Sequence, residues 1–215
     1  MSQDRTRAAY SSLEGFEVWD VKADRVLFRD TSTKGSPVPC SLSPDGERTV
    51  WSPGSTAHVR DLSTGFQREL RLDGVPTRLV FSPDSTRLAV LTSGSLSVWD
   101  PSTGRALWSV ANPEAAFYWD LRWSADHRSL LLDHYLSGTL LVDAATGELL
   151  ARFPGEPGIN STVRPDLRAE LLVSNTNWDL VSLPQPASDS SADGLAKTLR
   201  TMGLALDGAE IVAAP

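Results

Sequence analysis

Three short signals recur along this chain at one spacing, and that spacing limits the possible folds more than any compositional figure. The first is a turn: Ser43-Pro44-Asp45-Gly46, Ser82-Pro83-Asp84-Ser85, Ser124-Ala125-Asp126-His127 and Arg164-Pro165-Asp166-Leu167. Its aspartates stand at 45, 84, 126 and 166, in steps of 39, 42 and 40. The second is an alternating run that ends in Asp: Val18-Trp19-Asp20, Val59-Arg60-Asp61, Val98-Trp99-Asp100 and Leu141-Val142-Asp143, in steps of 41, 39 and 43. The third closes each later run: Ser63-Thr64-Gly65, Ser102-Thr103-Gly104 and Ala145-Thr146-Gly147. A chain that keeps three markers in one rhythm is built of repeated units of about forty residues.

Each marker has a mechanical role. Proline presets φ near −65° in a type I turn, Asp bonds its own downstream backbone, and Gly takes the left-handed position. The Asp-x-x-Thr-Gly run does the same for a slightly longer hairpin. Between the turns lie short runs of strand formers, such as Arg78-Leu79-Val80-Phe81, Thr86-Arg87-Leu88-Ala89-Val90-Leu91-Thr92, Ser95-Leu96-Ser97-Val98-Trp99 and Ala106-Leu107-Trp108-Ser109-Val110. One period therefore holds four antiparallel strands joined by tight turns. No segment before residue 190 has a helical period.

Four-stranded units of this length, with a strand ending in Trp-Asp, are the mark of propeller blades. On Val18-Trp19-Asp20, Val98-Trp99-Asp100, the Ser-Pro-Asp turns and the Ser-Thr-Gly turns, the chain resembles the bacterial WD-repeat β-propellers over residues 13–183. One departure stands out. The family's Gly-His pair before a blade's first strand is missing, and Asp73-Gly74-Val75-Pro76 occupies that place. The resemblance thus predicts blades held by apolar and aromatic contacts, without the family's Asp–His–Ser–Trp network. It also implies a non-catalytic scaffold for protein–protein interaction, of the kind that follows a bacterial signalling domain.

The expected fold class is all-β, a propeller of about four and a half blades. Residues 1–12 are expected to be disordered. Residues 13–29 supply two strands, and 38–72, 77–110, 116–153 and 159–183 supply the later blades. Residues 184–194, rich in Pro and Ser, read as a linker. A short helix over 195–202 and a hairpin around Asp207-Gly208 complete the tail, which either covers a sheet edge or hangs free. An open arc leaves strand edges bare. Three arrangements answer that: further blades upstream, a homodimer through the open faces, or a small strained ring.

Composition excludes several other functions. The net charge of −7 gives no basic field for nucleic acid. The single cysteine, Cys40, forms no internal disulfide or thiolate cluster, and reads as buried and inert. No stretch reaches the roughly 20 apolar residues of a membrane helix, and the N-terminus has no signal-peptide core, so a cytoplasmic protein is expected. No cofactor or metal is expected: His58, His127 and His134 lack ligand spacing. No Gly-x-Ser-x-Gly elbow or phosphate loop occurs.

The excess is in aromatics, with seven tryptophans. Trp19 and Trp99, in the Trp-Asp position, are expected to pack between blades, and Trp51 and Trp108 to pack within strands. Phe117-Tyr118-Trp119-Asp120-Leu121-Arg122-Trp123 reads as the first strand of its blade, which in a propeller lines the channel. Aromatic side chains beside Arg have the composition of interface anchors, although large aromatics are also the usual core residues. The candidate partner-binding patch is Arg78, Tyr118, Trp119, Tyr135, Asn177 and Trp178. Two readings compete with it: a channel enzyme or ligand sensor, in which Arg78, Asp120, Arg122 and His134 converge, and a truncated propeller fragment without independent function.

Overall fold

Ser-x-Asp turns set the start of each second strand. A computed structural model describes residues 1–112, 118–134, 138–153, 160–163, 169–173, 178–182, 204–207 and 210–213. Among these residues every regular element is a strand. The chain divides into two compact units, Met1–Ala116 and Phe117–Pro215. The linker and the expected helix over 195–202 lie outside the described residues.

The first unit holds three antiparallel sheets. They are β1 (Arg7–Ser12), β2 (Gly15–Asp20) and β3 (Arg25–Asp30); β4 (Cys40–Leu42), β5 (Arg48–Trp51), β6 (Thr56–Asp61) and β7 (Gln67–Arg71); and β8 (Pro76–Phe81), β9 (Leu88–Thr92), β10 (Ser95–Asp100) and β11 (Arg105–Ala111). In each sheet, neighbours in sequence are neighbours in space. The second unit repeats the four-stranded plan with β12 (Tyr118–Trp123), β13 (Ser129–His134), β14 (Gly138–Asp143) and β15 (Leu149–Phe153). A three-stranded sheet follows, of β16 (Asn160–Val163), β17 (Ala169–Val173) and β18 (Trp178–Ser182). The last pair is β19 (Leu204–Asp207) with β20 (Glu210–Ala213).

The N-terminus corrects the sequence reading. Residues 7–12, expected to be disordered, form β1, so the first blade has three strands where two were expected. The cause is a turn that contains neither proline nor glycine. Ser2 Oγ donates to Asp4 Oδ1 at 2.7 Å, and Arg7 N donates back to Ser2 Oγ at 2.9 Å. Ser43 makes the same bonds with Asp45 and Arg48 at 2.5 and 2.8 Å. Ser82 makes them with Asp84 and Arg87, and Ser124 with Asp126 and Ser129. The residue after each Asp is left-handed: Arg5 at φ 60°, Gly46 at 74°, Ser85 at 63° and His127 at 63°. The side-chain bonds hold these turns even where a Cβ makes that backbone costly.

Successive turns are also tied together. Gln3 N donates to Pro44 O at 2.7 Å, and Asp45 N donates to Ser85 Oγ at 3.1 Å. Arg7 Nη1 donates to the Gly46 carbonyl at 2.5 Å, and Arg48 Nη1 reaches the equivalent Ser85 carbonyl at 3.5 Å. Apolar clusters fill the space between these sheets. Phe16 and Val18 of the first blade meet Leu42 and Trp51 of the second. Val50, Ala57, Val59 and Leu70 of the second meet Leu79, Phe81, Leu88 and Val90 of the third, with Trp99 packed against them. Inner strands are therefore apolar on both faces: all of β9 is buried, as are Leu130, Leu131 and Leu132 of β13.

A polar network stands where the Gly-His pair is missing, within the third blade and the loop that leads into it. Thr92 Oγ1 donates to Asp73 Oδ1 at 3.1 Å and accepts from Gly94 N and Ser95 N at 3.1 and 2.9 Å. The Trp-Asp strand has its own repeated irregularity. The pairing with the next strand shifts at Val18/Trp19, Val98/Trp99 and Leu141/Val142.

Aspartates close the outer hairpins. Asp61 accepts from the backbone and hydroxyls of Ser63 and Thr64 at 2.7–3.0 Å, and Asp100 does so from Ser102 and Thr103. Hydrogen bonds led by Ser63 lower the Asp61 carboxyl from 3.8 to about 2. At Asp100 burial pulls upward, and the bonds of Ser102 and Thr103 outweigh it, again giving about 2. Carboxyls depressed on folding contribute stability that is complete above their unfolded value and disappears as the pH falls through the folded one. Thermal midpoints should therefore decline from about pH 4 to about pH 2, and Asp61→Asn with Asp100→Asn should flatten that decline. An equally steep decline in the double variant would contradict this assignment.

Candidate functional site

The first strands of the third and fourth blades carry the expected site residues, and they share a local distortion. Pairing shifts between Pro76 and Arg78 in β8 and between Tyr118 and Asp120 in β12, so Thr77 and Trp119 are equivalent bulge residues. Bulges of this kind re-aim the side chains beside them. Arg78 is half-buried, and its Nη1 donates to the Thr77 carbonyl at 2.7 Å.

Tyr118 corrects the patch. It is 1% exposed, its ring meets His134 edge-on at 5.7 Å, and burial pushes its hydroxyl up to about 12. It is a core residue and offers no anchor to a partner. Trp178 opens β18, opposite Val173. Trp is a strong strand former, which explains why the strand begins at that residue. Tyr135 and Asn177 lie outside the described residues.

Three titratable residues of the fourth blade, Asp120, Arg122 and Asp133, come together. Asp133 is fully buried. It accepts from Arg122 Nη2 at 2.6 Å and from Thr139 Oγ1 at 2.6 Å. Arg122 Nε lies 3.3 Å from Asp120 Oδ2. Register places Asp120, Asp133 and Thr139 side by side across β12, β13 and β14. A carboxylate held by two donors and a guanidinium between two carboxylates form a cross-strand clamp. Arg78 belongs to the other unit.

The site that sequence reasoning missed lies on the rim between the second and third blades. A groove of about 110 Å³ is lined by Arg48, Val59, Asp61, Phe66, Arg68, Pro101 and Ser102. Phe66 follows the Gly65 hairpin and is 60% exposed. The Arg68 guanidinium lies over its ring at 5.1 Å, within cation–π range. A Cβ on Gly104 would collide with the Arg68 side chain, so the third blade's hairpin sets where that arginine runs. Two arginines, Arg48 and Arg68, stand in the groove against one ionised carboxylate, Asp61, which leaves a formal excess of one positive charge. In sequence, Phe66 is only an apolar residue after a turn; the blade-to-blade step that brings Pro101 and Gly104 to it is not local.

Half-burial raises the Cys40 thiol above its ordinary value. No metal-holding cluster of His, Cys, Asp or Glu occurs among the described residues, and no helix there is long and apolar enough to cross a membrane.

No protein-family model and no curated protein sequence matches the chain. Solved structures do, in 1160 chains, and a likeness shared so widely identifies a fold rather than an activity. The β-propeller domain of Cps50 (Swd1) from Myceliophteria thermophila is similar with a TM-score of 0.68 and 17% identity, over 89% of this chain and 66% of that one. Hydrazine synthase of Kuenenia stuttgartiensis is similar with a TM-score of 0.64 and 15% identity, over 80% of this chain and 53% of that one. The chain thus spans about half to two thirds of the length of these structures. Repeated four-stranded antiparallel sheets and these neighbours lead to one conclusion: the chain is a β-propeller.

Proposed function

We propose that the chain is a non-catalytic scaffold of the WD-repeat kind, which holds a protein partner by an acidic segment laid in the rim groove of Phe66 and Arg68. The observation that carries this reading is the pairing of a largely exposed Phe66 with Arg68, beside Arg48 and Pro101. Aromatic and Arg side chains dominate interface energetics. Two arginines against one carboxylate, Asp61, favour an anionic partner. The Trp-Asp strands at Trp19 and Trp99 favour the WD-repeat kind. The mutual pairing of Asp120, Arg122 and Asp133 favours a structural use of the residues a channel enzyme would have needed.

Selection from a displayed random-peptide library on the intact chain tests the reading. Enriched peptides should carry Asp or Glu, and Phe66→Ala with Arg68→Ala should weaken the best of them by about 2 kcal/mol, or about thirtyfold. Neutral or basic consensus peptides, or unchanged affinity in the double variant, would remove the proposal.

A further inference from the structure

The second blade breaks the repeat where its last two strands pair. In the other four-stranded plans and in the first blade, that pairing skips one residue. Val18 faces Phe28 past Leu27, Val98 faces Trp108 past Leu107, and Leu141 faces Ala151 past Leu150. In the second blade the register runs without a shift, and Val59 faces Arg68 directly. Arg68 therefore stands where the first and third blades place half-buried aromatic rings, Phe28 and Trp108.

The contact between the first and second blades shows what a ring does at that position. Phe28 lies 5.1 Å from the Trp51 ring, with the Arg60 guanidinium 4.4 Å over its other neighbourhood. The equivalents of Val59, Arg68 and Pro101 there are Val18, Phe28 and Leu62, and all three join one apolar cluster. Between the second and third blades, Val59, Arg68 and Pro101 instead wall the groove of about 110 Å³. Arg68 turns to Phe66. Trp99, the counterpart of Arg60, packs on the buried cluster and donates its indole N–H to Ser97 Oγ at 2.9 Å. One contact holds a ring where the next holds an open groove.

We infer that the acidic segment enters this groove with an aromatic side chain next to its Asp or Glu. The inference rests on the reading of the groove as the partner site, and it specifies what fills it. The groove has room for one side chain and not for a helix of about 10 Å across. Val59, Phe66 and Pro101 supply an apolar wall, and an exposed ring such as Phe66 can be met edge-on or offset by a second ring. A guanidinium is planar, weakly hydrated and stacks on aromatic faces. Neither Arg48 nor Arg68 makes an ion pair among the described residues. A carboxylate carried in beside the ring therefore meets two cations that have no closer counterion.

Capped peptides with Phe-Glu, Leu-Glu or Phe-Gln between glycines are titrated into the intact chain, and the backbone amide resonance of Ser102 is followed. Phe-Glu should move it saturably with Kd of about 1 mM. Leu-Glu keeps the charge and the apolar bulk but lacks the ring, and should bind about fivefold more weakly. Arg68→Lys keeps the charge without the planar face, and should bring those two affinities together. Arg68→Trp supplies the ring that the first and third blades have, and should abolish Phe-Glu binding while the thermal midpoint stays within a few degrees. Arg68→Lys carries the test if that variant fails to fold. Equal affinities for Phe-Glu and Leu-Glu would overturn the inference and leave the acidic reading standing. Equal affinities for Phe-Glu and Phe-Gln, both above Leu-Glu, would sustain the ring and remove the acidic reading. No shift with any peptide at about 10 mM, or unchanged Phe-Glu binding in a folded Arg68→Trp, would also overturn the inference.

Discussion

Asp133→Ala should lower the stability of the second unit by about 3 kcal/mol. The carboxylate is fully buried and receives Arg122 and Thr139 at 2.6 Å each. Its removal strands a guanidinium whose side chain is only 22% exposed, along with a buried hydroxyl. Breaking a buried pair costs more than the pair contributes, because the surviving charge stays desolvated. The loss falls toward the lower end of that range, since Arg122 keeps Asp120 at 3.3 Å and some access to water. Asp133→Asn retains an acceptor for Thr139 and should cost about half as much. Urea unfolding followed by tryptophan fluorescence measures both. Matching midpoints for wild type and Asp133→Ala would show the clamp to be unimportant.

Trp51→Ala should be costlier still, at about 4 kcal/mol. The ring is fully buried between the first two blades. It stacks on Phe16 at 5.0 Å and on His58 at 5.2 Å, with Phe28 tilted against it at 5.1 Å. Its indole also donates to Asp30 Oδ2 at 2.6 Å. Truncation leaves a large cavity and an unpaired carboxylate together. Trp51→Phe separates the two effects: it keeps most of the stack, loses the donor, and should cost about 1–2 kcal/mol. Denaturant unfolding at neutral pH is the measurement. If Trp51→Phe proved as costly as Trp51→Ala, the hydrogen bond rather than the packing would be what holds these blades together.

The repeat was readable because turn chemistry is local. Ser-Pro-Asp and Ser-Thr-Gly announce themselves within four residues, and the strands between them follow. The Ser2–Arg7 turn escaped notice for the complementary reason: its Gln3 and Arg5 replace proline and glycine, so only Ser and Asp remain of the signal. Its geometry survives because the serine hydroxyl and the aspartate do the bonding. Tyr118 illustrates a different limit. Sequence shows an aromatic at the start of a strand, while burial depends on what the neighbouring strands bring over it. The Phe66 groove belongs to that same class, since it needs a hairpin from the next blade, some forty residues on. Pairing across β12, β13 and β14 likewise turned four scattered polar residues into a single clamp.

The arginine that links each turn to the next has a consequence for how such a chain grows. Arg7 and Arg48 are equivalent donors, and Gly46 and Ser85 are equivalent acceptors whose left-handed backbone turns the carbonyl outward. Because both joints of the first unit use the same two parts, a duplication or excision of one whole period there leaves matching partners on both sides of the new seam. Gene-level gain or loss of a blade then needs no compensating change at the junction, and the number of blades becomes a quantity that selection can vary one step at a time.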